Sequence, residues 1–323
     1  MTPRLAVLIP CYNEAATIAA VVADFRAALP AATVYVYDNN STDDTIARAA
    51  AAGAVVRREP LQGKGQVVRR MFADIEADAY ILVDGDGTYD AAAAPRLLAR
   101  LLADGLDMVT GTRQHDSAAA YRRGHQLGNR VLTGVAAAIF GDRITDMLSG
   151  YRAFSRRFVK SFPALSAGFE TETEFTVHAL ELAMPIGEIV VHYGERPVDS
   201  PSKLNTFRDG WRILRMIMML IRNERPLRFF GMLGIITLLV AIALAIPVFV
   251  EYARTGLVPR LPTAVLATGL SLLSFLSAFA GLILQTVTTG RREMKRLAYL
   301  ALPGPLASGF TFADAPADAP PSA

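Results

Sequence analysis

Tyr80-Ile-Leu-Val-Asp-Gly-Asp-Gly-Thr-Tyr-Asp90 is a short apolar run that ends in two carboxylates one residue apart, Asp84 and Asp86, in a glycine-rich turn. Its length, β-prone residues and bounding turn residues make it a buried strand. A loop leaving such a strand carries its side chains at the strand's carboxyl end, where open α/β sheets bind ligands. Two hard oxygen ligands there suit Mg²⁺ or Mn²⁺, shared with a substrate's phosphates. A solvated acidic turn is the competing reading. A calcium loop of the EF-hand type fails on spacing: Thr88 and Tyr89 stand where a third oxygen ligand and a glycine belong, and Pro95 stands where the closing glutamate belongs.

Working outward, residues 4–9 form a first strand ended by Pro10, and Asn13 is placed to cap the helix after it. A second strand, residues 33–37, ends at Asp38, and Ser41 and Asp44 have the spacing of a capping box. A weaker third strand covers 54–57. Gln62-Gly-Lys-Gly65 opens a helix, residues 95–102 form another, and residues 107–111 form a strand leading to Thr112-Arg113. This alternation predicts an α/β fold with a mostly parallel sheet and helices on both faces. The unusual residues fall in the loops at the strands' carboxyl ends, so one rim collects the polar groups, as a nucleotide site requires. No G-x-G-x-x-G follows the first strand, and no Walker-type phosphate loop is present.

The 323 residues are 52% apolar with a mean hydropathy of +0.30, an excess concentrated after Phe229. Net charge is +3, which gives no nucleic-acid footprint. The single cysteine, Cys11, excludes an intrachain disulfide. The N-terminal run is too short for a signal-peptide core, so the globular part is expected to stay where it is made. Residues 229–250 and 261–287 are uncharged apolar runs, and about 22 residues at about 1.5 Å each reach about 33 Å, enough to cross a bilayer core. Arg222, Arg225 and Arg228 precede the first run, and Arg291, Arg292, Lys295 and Arg296 follow the second. Their excess over the connecting loop puts both outer ends in the cytoplasm. Before the hairpin, Trp211, Leu214, Ile217, Met218 and Ile221 recur at helical spacing among arginines, the pattern of a basic amphipathic helix lying in a membrane interface. The expected division is a globular domain at 1–204, the juxtamembrane helix at 205–228, a transmembrane hairpin at 229–290 and a cytoplasmic, partly disordered tail at 291–323. A hairpin this small is suited to self-association.

Ile9-Pro-Cys-Tyr-Asn-Glu14, Asp38-Asn-Asn-Ser-Thr-Asp43, Gln62-Gly-Lys-Gly65, Asp84-Gly-Asp86 and Ser149-Gly-Tyr-Arg152 occur in order. Together they resemble the family-2 glycosyltransferases of GT-A fold, and among these the polyprenyl-phosphate glycosyltransferases. The resemblance covers about residues 5–203. It implies inverting transfer of one sugar from a nucleotide-sugar donor, a UDP-hexose ahead of GDP-mannose, to undecaprenyl or dolichyl phosphate at the cytoplasmic face of the inner membrane.

By the same resemblance, Asp84 and Asp86 hold the metal. Pro10, Tyr12, Glu14, Asp38, Lys64, Asp84 and Gly85 meet the donor, and Asp86, Arg113 and Asp146 are the catalytic set. Arg113, with Arg122, Arg123, Arg130, Ser202 and Lys203, meets the acceptor phosphate, for which guanidinium forks are suited. Helix capping remains an alternative for Asp38, and a solvated surface position for Lys64. Asp146 either orients groups or accepts a proton, and Arg152 either pairs with a carboxylate or touches substrate. Asp199-Ser-Pro-Ser-Lys203 lacks the glycine usual in the last loop. Glu170, Glu172 and Glu174 cannot share one helical face, and the four histidines lack metal-ligand spacing. Two other readings stay open: a processive polysaccharide synthase, whose Q-x-x-R-W motif Asp209-Gly-Trp-Arg does not match, and a non-catalytic membrane scaffold that binds nucleotide sugars.

Overall fold

The computed structural model describes residues 4–114, 134, 145–164, 170–194, 215, 218–219 and 221–305. Arg122, Arg123, Arg130, Ser202 and Lys203 lie outside the described residues, as do His115 and His125 and most of the basic stretch at 205–220. The chain divides into two units, Met1–Gly210 with Lys295–Ala323, and Trp211–Met294.

The first unit is built on a seven-stranded sheet. Its strands are β1 (Leu5–Cys11), β2 (Ala32–Asp38), β3 (Val55–Arg58), β4 (Ala79–Leu82), β5 (Met108–Gln114), β6 (Arg152–Ser155) and β7 (Ile186–His192), in the order β3-β2-β1-β4-β6-β5-β7. Helices α1 (Ile18–Ala28), α2 (Thr45–Ala51), α3 (Lys64–Asp74), α4 (Ala94–Ala103), α5 (Arg156–Ser161) and α6 (Thr171–Glu181) alternate with them. β1 is almost wholly apolar because both faces of the sheet are covered. Val7, Ile9, Ile81, Val109 and Ala153 pack with Ile18, Val22 and Phe25 of α1 and Leu97, Leu98 and Leu101 of α4. Tyr80 and Phe154, facing each other in the β4–β6 register, join an aromatic cluster with Phe72 of α3, Phe158 and Phe162 around α5, and Phe175 of α6. Each such side chain, fully buried, contributes about 1.5–3 kcal/mol. His178 sits in this cluster between Phe158 and Phe162, 3.2 Å from Ser161 Oγ, a packed position and not a ligand cluster.

One strand departs from the simple alternation. β6 runs antiparallel between the parallel strands β4 and β5. It arises from Arg-Ala-Phe-Ser, a four-residue segment headed by a charge, which carries no apolar run in the sequence. Two expected caps are also replaced. Thr17, not Asn13, precedes α1, and no side chain caps α2; Asp43 Oδ1 accepts from the backbone N–H of Thr45 at 3.1 Å instead.

The second unit contains α7 (Pro226–Thr255) and most of α8 (Leu261–Leu300). Both are long and apolar enough to cross a membrane, and Leu239, Phe249, Leu272, Phe275 and Ile283 are exposed along them. The two helices meet through small residues. Ser274 Oγ donates to the carbonyl of Gly234 at 2.8 Å, and a Cβ on Gly281 would stand 3.1 Å from Phe230 Cβ. Gly256, at φ +71°, ends α7 in the left-handed conformation that glycine adopts without strain. At the other end, buried Glu224 accepts from Arg291 and Arg292, each at 3.0 Å.

α8 continues past the apolar run into the segment expected to be tail. Its residues from Lys295 onward belong to the first unit. Lys295 Nζ donates to buried Glu181 at 2.6 Å, and Tyr299 OH donates to Asp107 at 2.7 Å. Asp107, wholly buried, also accepts from Ser155 and Arg157.

Candidate functional site

Three loops at the carboxyl ends of β1, β2 and β3 are stitched together by side chains. Asn13, held at φ +53°, accepts from the N–H of Thr42 through Oδ1, and its own N–H donates to Ser41 Oγ. Glu14 N–H donates to Thr45 Oγ1 and Ala15 N–H to Asp43. Asp38, the last residue of β2, is buried, and both its oxygens accept from Ser41 N–H. Asn39 next to it spans to the third loop, donating to the carbonyls of Glu59 and Leu61 and accepting from Gly63 N–H. Gly63 has φ +131° and sets the start of α3, so the first side chain of that helix, Lys64, is aimed by this chain of contacts. Pro10 and Glu14 are half-buried on the same rim, and the Tyr12 ring is exposed there.

The turn after β4 stands beside them. Thr17 Oγ1 donates to the carbonyl of Gly85 at 2.7 Å. A Cβ on Gly85 would lie 2.7 Å from Cys11 Sγ, so this turn needs glycine for its close approach to β1. Asp86 is buried, and its Oδ1 accepts from Thr88 Oγ1 at 2.6 Å and Thr88 N–H at 3.2 Å. Asp84 is more open and accepts from Lys64 Nζ at 2.5 Å. The same ammonium reaches Glu172 of α6, also at 2.5 Å. Burial alone would lower the Lys64 pKa; the two carboxylates outweigh it, and the ammonium is held charged well above its ordinary range. Lys64 is therefore a buried, paired lysine and not a solvated one.

Arg113, near the end of β5, grips Asp146 with its fork, Nε to Oδ2 at 2.8 Å and Nη2 to Oδ1 at 2.9 Å. Its guanidinium also lies over the Tyr193 ring at 5.6 Å. Burial pushes the Asp146 carboxyl up, but the Arg113 bonds more than offset this, so it lies below the usual carboxylate range and is ionised at neutral pH. Glu188 of β7 accepts from Thr145 N–H and Oγ1 and so braces the loop that carries Asp146.

Ser149 and Gly150 join the two halves of the rim. Ser149 Oγ donates to the Gly111 carbonyl, and Gly150 N–H donates to Tyr89 OH. A Cβ on Gly150 would fall 2.5 Å from Asp84 Oδ2. Gly150→Ala is expected to push the Asp84 carboxylate off its position and to lower catalytic turnover by about 10²-fold, the scale for misplacing a group at the reacting centre. The thermal midpoint, measured in parallel, should move by only a few degrees. Unchanged turnover would show that Asp84 has room to shift harmlessly.

Arg152 falls outside the site. It is wholly buried and donates to the carbonyls of Ser149 and Met147 and to Thr176 Oγ1, a structural role filled by carbonyls and a hydroxyl in place of the expected carboxylate. Glu172 and Glu188 are the site neighbours that sequence reasoning did not select. Nothing in Phe-Glu-Thr-Glu-Thr-Glu-Phe marks the middle glutamate; only the fold brings it to Lys64. Among the described residues no group of three or more His, Cys, Asp or Glu side chains is placed to hold a metal by itself. The donor set at Asp84 and Asp86 still fits a divalent ion that shares its shell with a diphosphate. The oxygens are hard, and the Lys64 ammonium shows that Asp84 already takes up a cation.

Comparison with known proteins shows the following similarities. The sequence profile described as "Glycosyl transferase family 2" matches residues 6–162. The chain is 34% identical over 292 residues to Glycosyltransferase AglJ of Haloferax volcanii, covering 90% of this chain and 96% of that protein. It is 54% identical over 155 residues to an uncharacterized protein of Shigella flexneri, covering 48% of this chain and 95% of that one. Among solved structures it is similar to glucosyl-3-phosphoglycerate synthase from Mycobacterium tuberculosis in complex with Mn²⁺, uridine-diphosphate-glucose and phosphoglyceric acid. That match has 26% identity and a TM-score of 0.52, over 68% of this chain and 79% of that one.

Proposed function

The chain belongs to glycosyl transferase family 2, and from that premise we propose that it transfers a single hexose from a nucleotide-sugar donor, a UDP-hexose first, to a polyprenyl phosphate at the cytoplasmic face of a membrane. The observation that carries the lipid acceptor is the pair of long apolar helices with apolar residues exposed along their length. The similarity to AglJ supports a catalytic chain of this whole length, because it spans 90% of the residues. The binding of UDP-glucose with Mn²⁺ by the mycobacterial relative supports the donor class.

In this reading Asp38 and the Tyr12 ring frame the nucleoside, and Lys64 stands at the diphosphate. Asp84 and Asp86 would hold Mg²⁺ or Mn²⁺, which supplies Lewis-acid stabilisation of the departing diphosphate. The acceptor phosphate is already anionic, so its oxygen needs orientation more than a strong base. That oxygen bonds to the anomeric carbon as the bond to the diphosphate breaks, and the electron pair leaves with the diphosphate, inverting the centre. Arg113, pre-oriented by Asp146 and Tyr193, neutralises the acceptor without reorganising during the reaction. Asp146, kept ionised by that pairing, orients Arg113 and is not required as a base.

The test incubates the purified full-length protein with undecaprenyl or dolichyl phosphate, Mg²⁺ or Mn²⁺ and a panel of UDP-glucose, UDP-N-acetylglucosamine and GDP-mannose. Lipid products are read by mass. One sugar added to the lipid phosphate is the expected result. A long polymer, or binding of donor without turnover across every acceptor and metal, would overturn the proposal.

A further inference from the structure

Lys64 Nζ is shared between two carboxylates of different character. The Asp84 side chain is 29% exposed, whereas those of Lys64 and Glu172 are 10% and 7% exposed. The ion pair therefore has an open end, at the candidate metal ligand, and a closed end, at Glu172. Glu172 Oε1 accepts from the ammonium, while Glu172 Oε2 is buried and has no hydrogen-bond partner among the described residues. A buried, unpartnered carboxylate oxygen is costly unless something else makes use of it. An ammonium carries three N–H donors, and two are engaged here, by Asp84 and Glu172.

A divalent ion arriving at Asp84 meets this arrangement as a competitor. Lys64 and the ion both seek the same carboxylate, and two cations on one carboxylate repel. If Asp84 were the only counter-charge, the ammonium would have to be stripped of its partner inside the protein, which is strongly unfavourable. Glu172 removes that penalty. Its first oxygen already holds Lys64, and its second, with no partner among the described residues, has its lone pairs open to a further N–H. The third N–H then remains for a phosphate oxygen at the start of α3, a position that favours anions.

We propose that Glu172 is a positioning residue for donor binding: it retains the Lys64 ammonium beside the diphosphate when a divalent cation takes over Asp84. The inference rests on the reading of Asp84 and Asp86 as the metal·diphosphate site. It concerns binding and not bond-making, so its test does not depend on knowing the acceptor.

Binding of UDP to the purified full-length protein is titrated by calorimetry at a series of Mn²⁺ concentrations, for wild type, Glu172→Gln, Lys64→Met and the double variant. In Glu172→Gln, Asp84 is the one carboxylate left bonded to Lys64, and the Mn²⁺ concentration for half-maximal UDP binding should rise about tenfold, within the range of couplings between contacting charges. In the Lys64→Met background the same Glu172 substitution should change that concentration less than about twofold. Equal shifts in both backgrounds would overturn the proposal and assign Glu172 to direct contact with the ion or the donor. No shift in either would overturn it as well. Thermal midpoints report whether each variant folds. If Glu172→Gln alone does not, Lys64→Met and the double variant still test the proposal, which is overturned when their Mn²⁺ half-saturation points differ by more than about twofold. Wild-type binding of UDP that ignores Mn²⁺ would instead remove the metal reading itself, whatever Glu172 does.

Discussion

Asp86→Ala should reduce sugar transfer by about 10³-fold or more while leaving the protein folded. Removing a group that stabilises charge developing on the leaving side costs on that scale. The structural cost is small by comparison. Asp86 Oδ1 accepts from Thr88 Oγ1 and Thr88 N–H, and losing two such bonds in a turn costs roughly 1–3 kcal/mol. The turn keeps its other supports, Thr17 on the Gly85 carbonyl and the contact of Gly85 with Cys11. Product mass from a fixed time of reaction, beside a thermal melt in detergent, separates the two effects. Near-normal transfer by a folded variant would rule out the metal assignment.

Arg152→Ala is expected to act in the opposite way, through stability. This guanidinium is wholly buried; burial pushes its pKa down to about 10, with Glu172 and Asp146 acting against that fall, so it is still charged at neutral pH. It holds the carbonyls of Met147 and Ser149 and the hydroxyl of Thr176, and it lies 5.7 Å from the Phe175 ring centroid. The truncated site keeps those acceptors, loses their donor and gains a cavity, at a cost of roughly 3–5 kcal/mol. For a domain of this size the midpoint should fall by about 10 °C. Arg152→Lys should recover only part of it, since an ammonium cannot reproduce the planar fork. A variant with a wild-type midpoint and no activity would move Arg152 from the interior to the substrate.

The rim of the sheet was readable because it follows from period and punctuation. β1 and β4 are continuous apolar runs cut off by polar turns, and such runs determine where the loops emerge. Asp38, Lys64, Asp84, Asp86 and Arg113 stand at or just beyond the carboxyl ends of β2, β3, β4 and β5, where that pattern puts them. What was not readable depends on partners distant in sequence. β6 exists because Arg152–Ser155 finds β4 on one side and β5 on the other, and four residues with a leading arginine advertise no strand. Asn13 has the residue type of a helix cap, yet the neighbouring β2 loop offers it Thr42, and the tertiary bond wins. Glu172 differs from Glu170 and Glu174 only in what stands across from it, 108 residues earlier in the chain.

The return of α8 to the first unit changes how the chain is to be divided. Because residues on both sides of Trp211–Met294 belong to one globular body, the hairpin is topologically an insertion within that body and not an appendage at its end. A fragment stopped ahead of the hairpin would omit a piece of the domain it was meant to isolate: buried Glu181 would lose its lysine, and Asp107 one of its three hydrogen-bonding neighbours. A chain that lacks the hairpin but keeps the residues from Lys295 onward retains the partners that simple truncation discards.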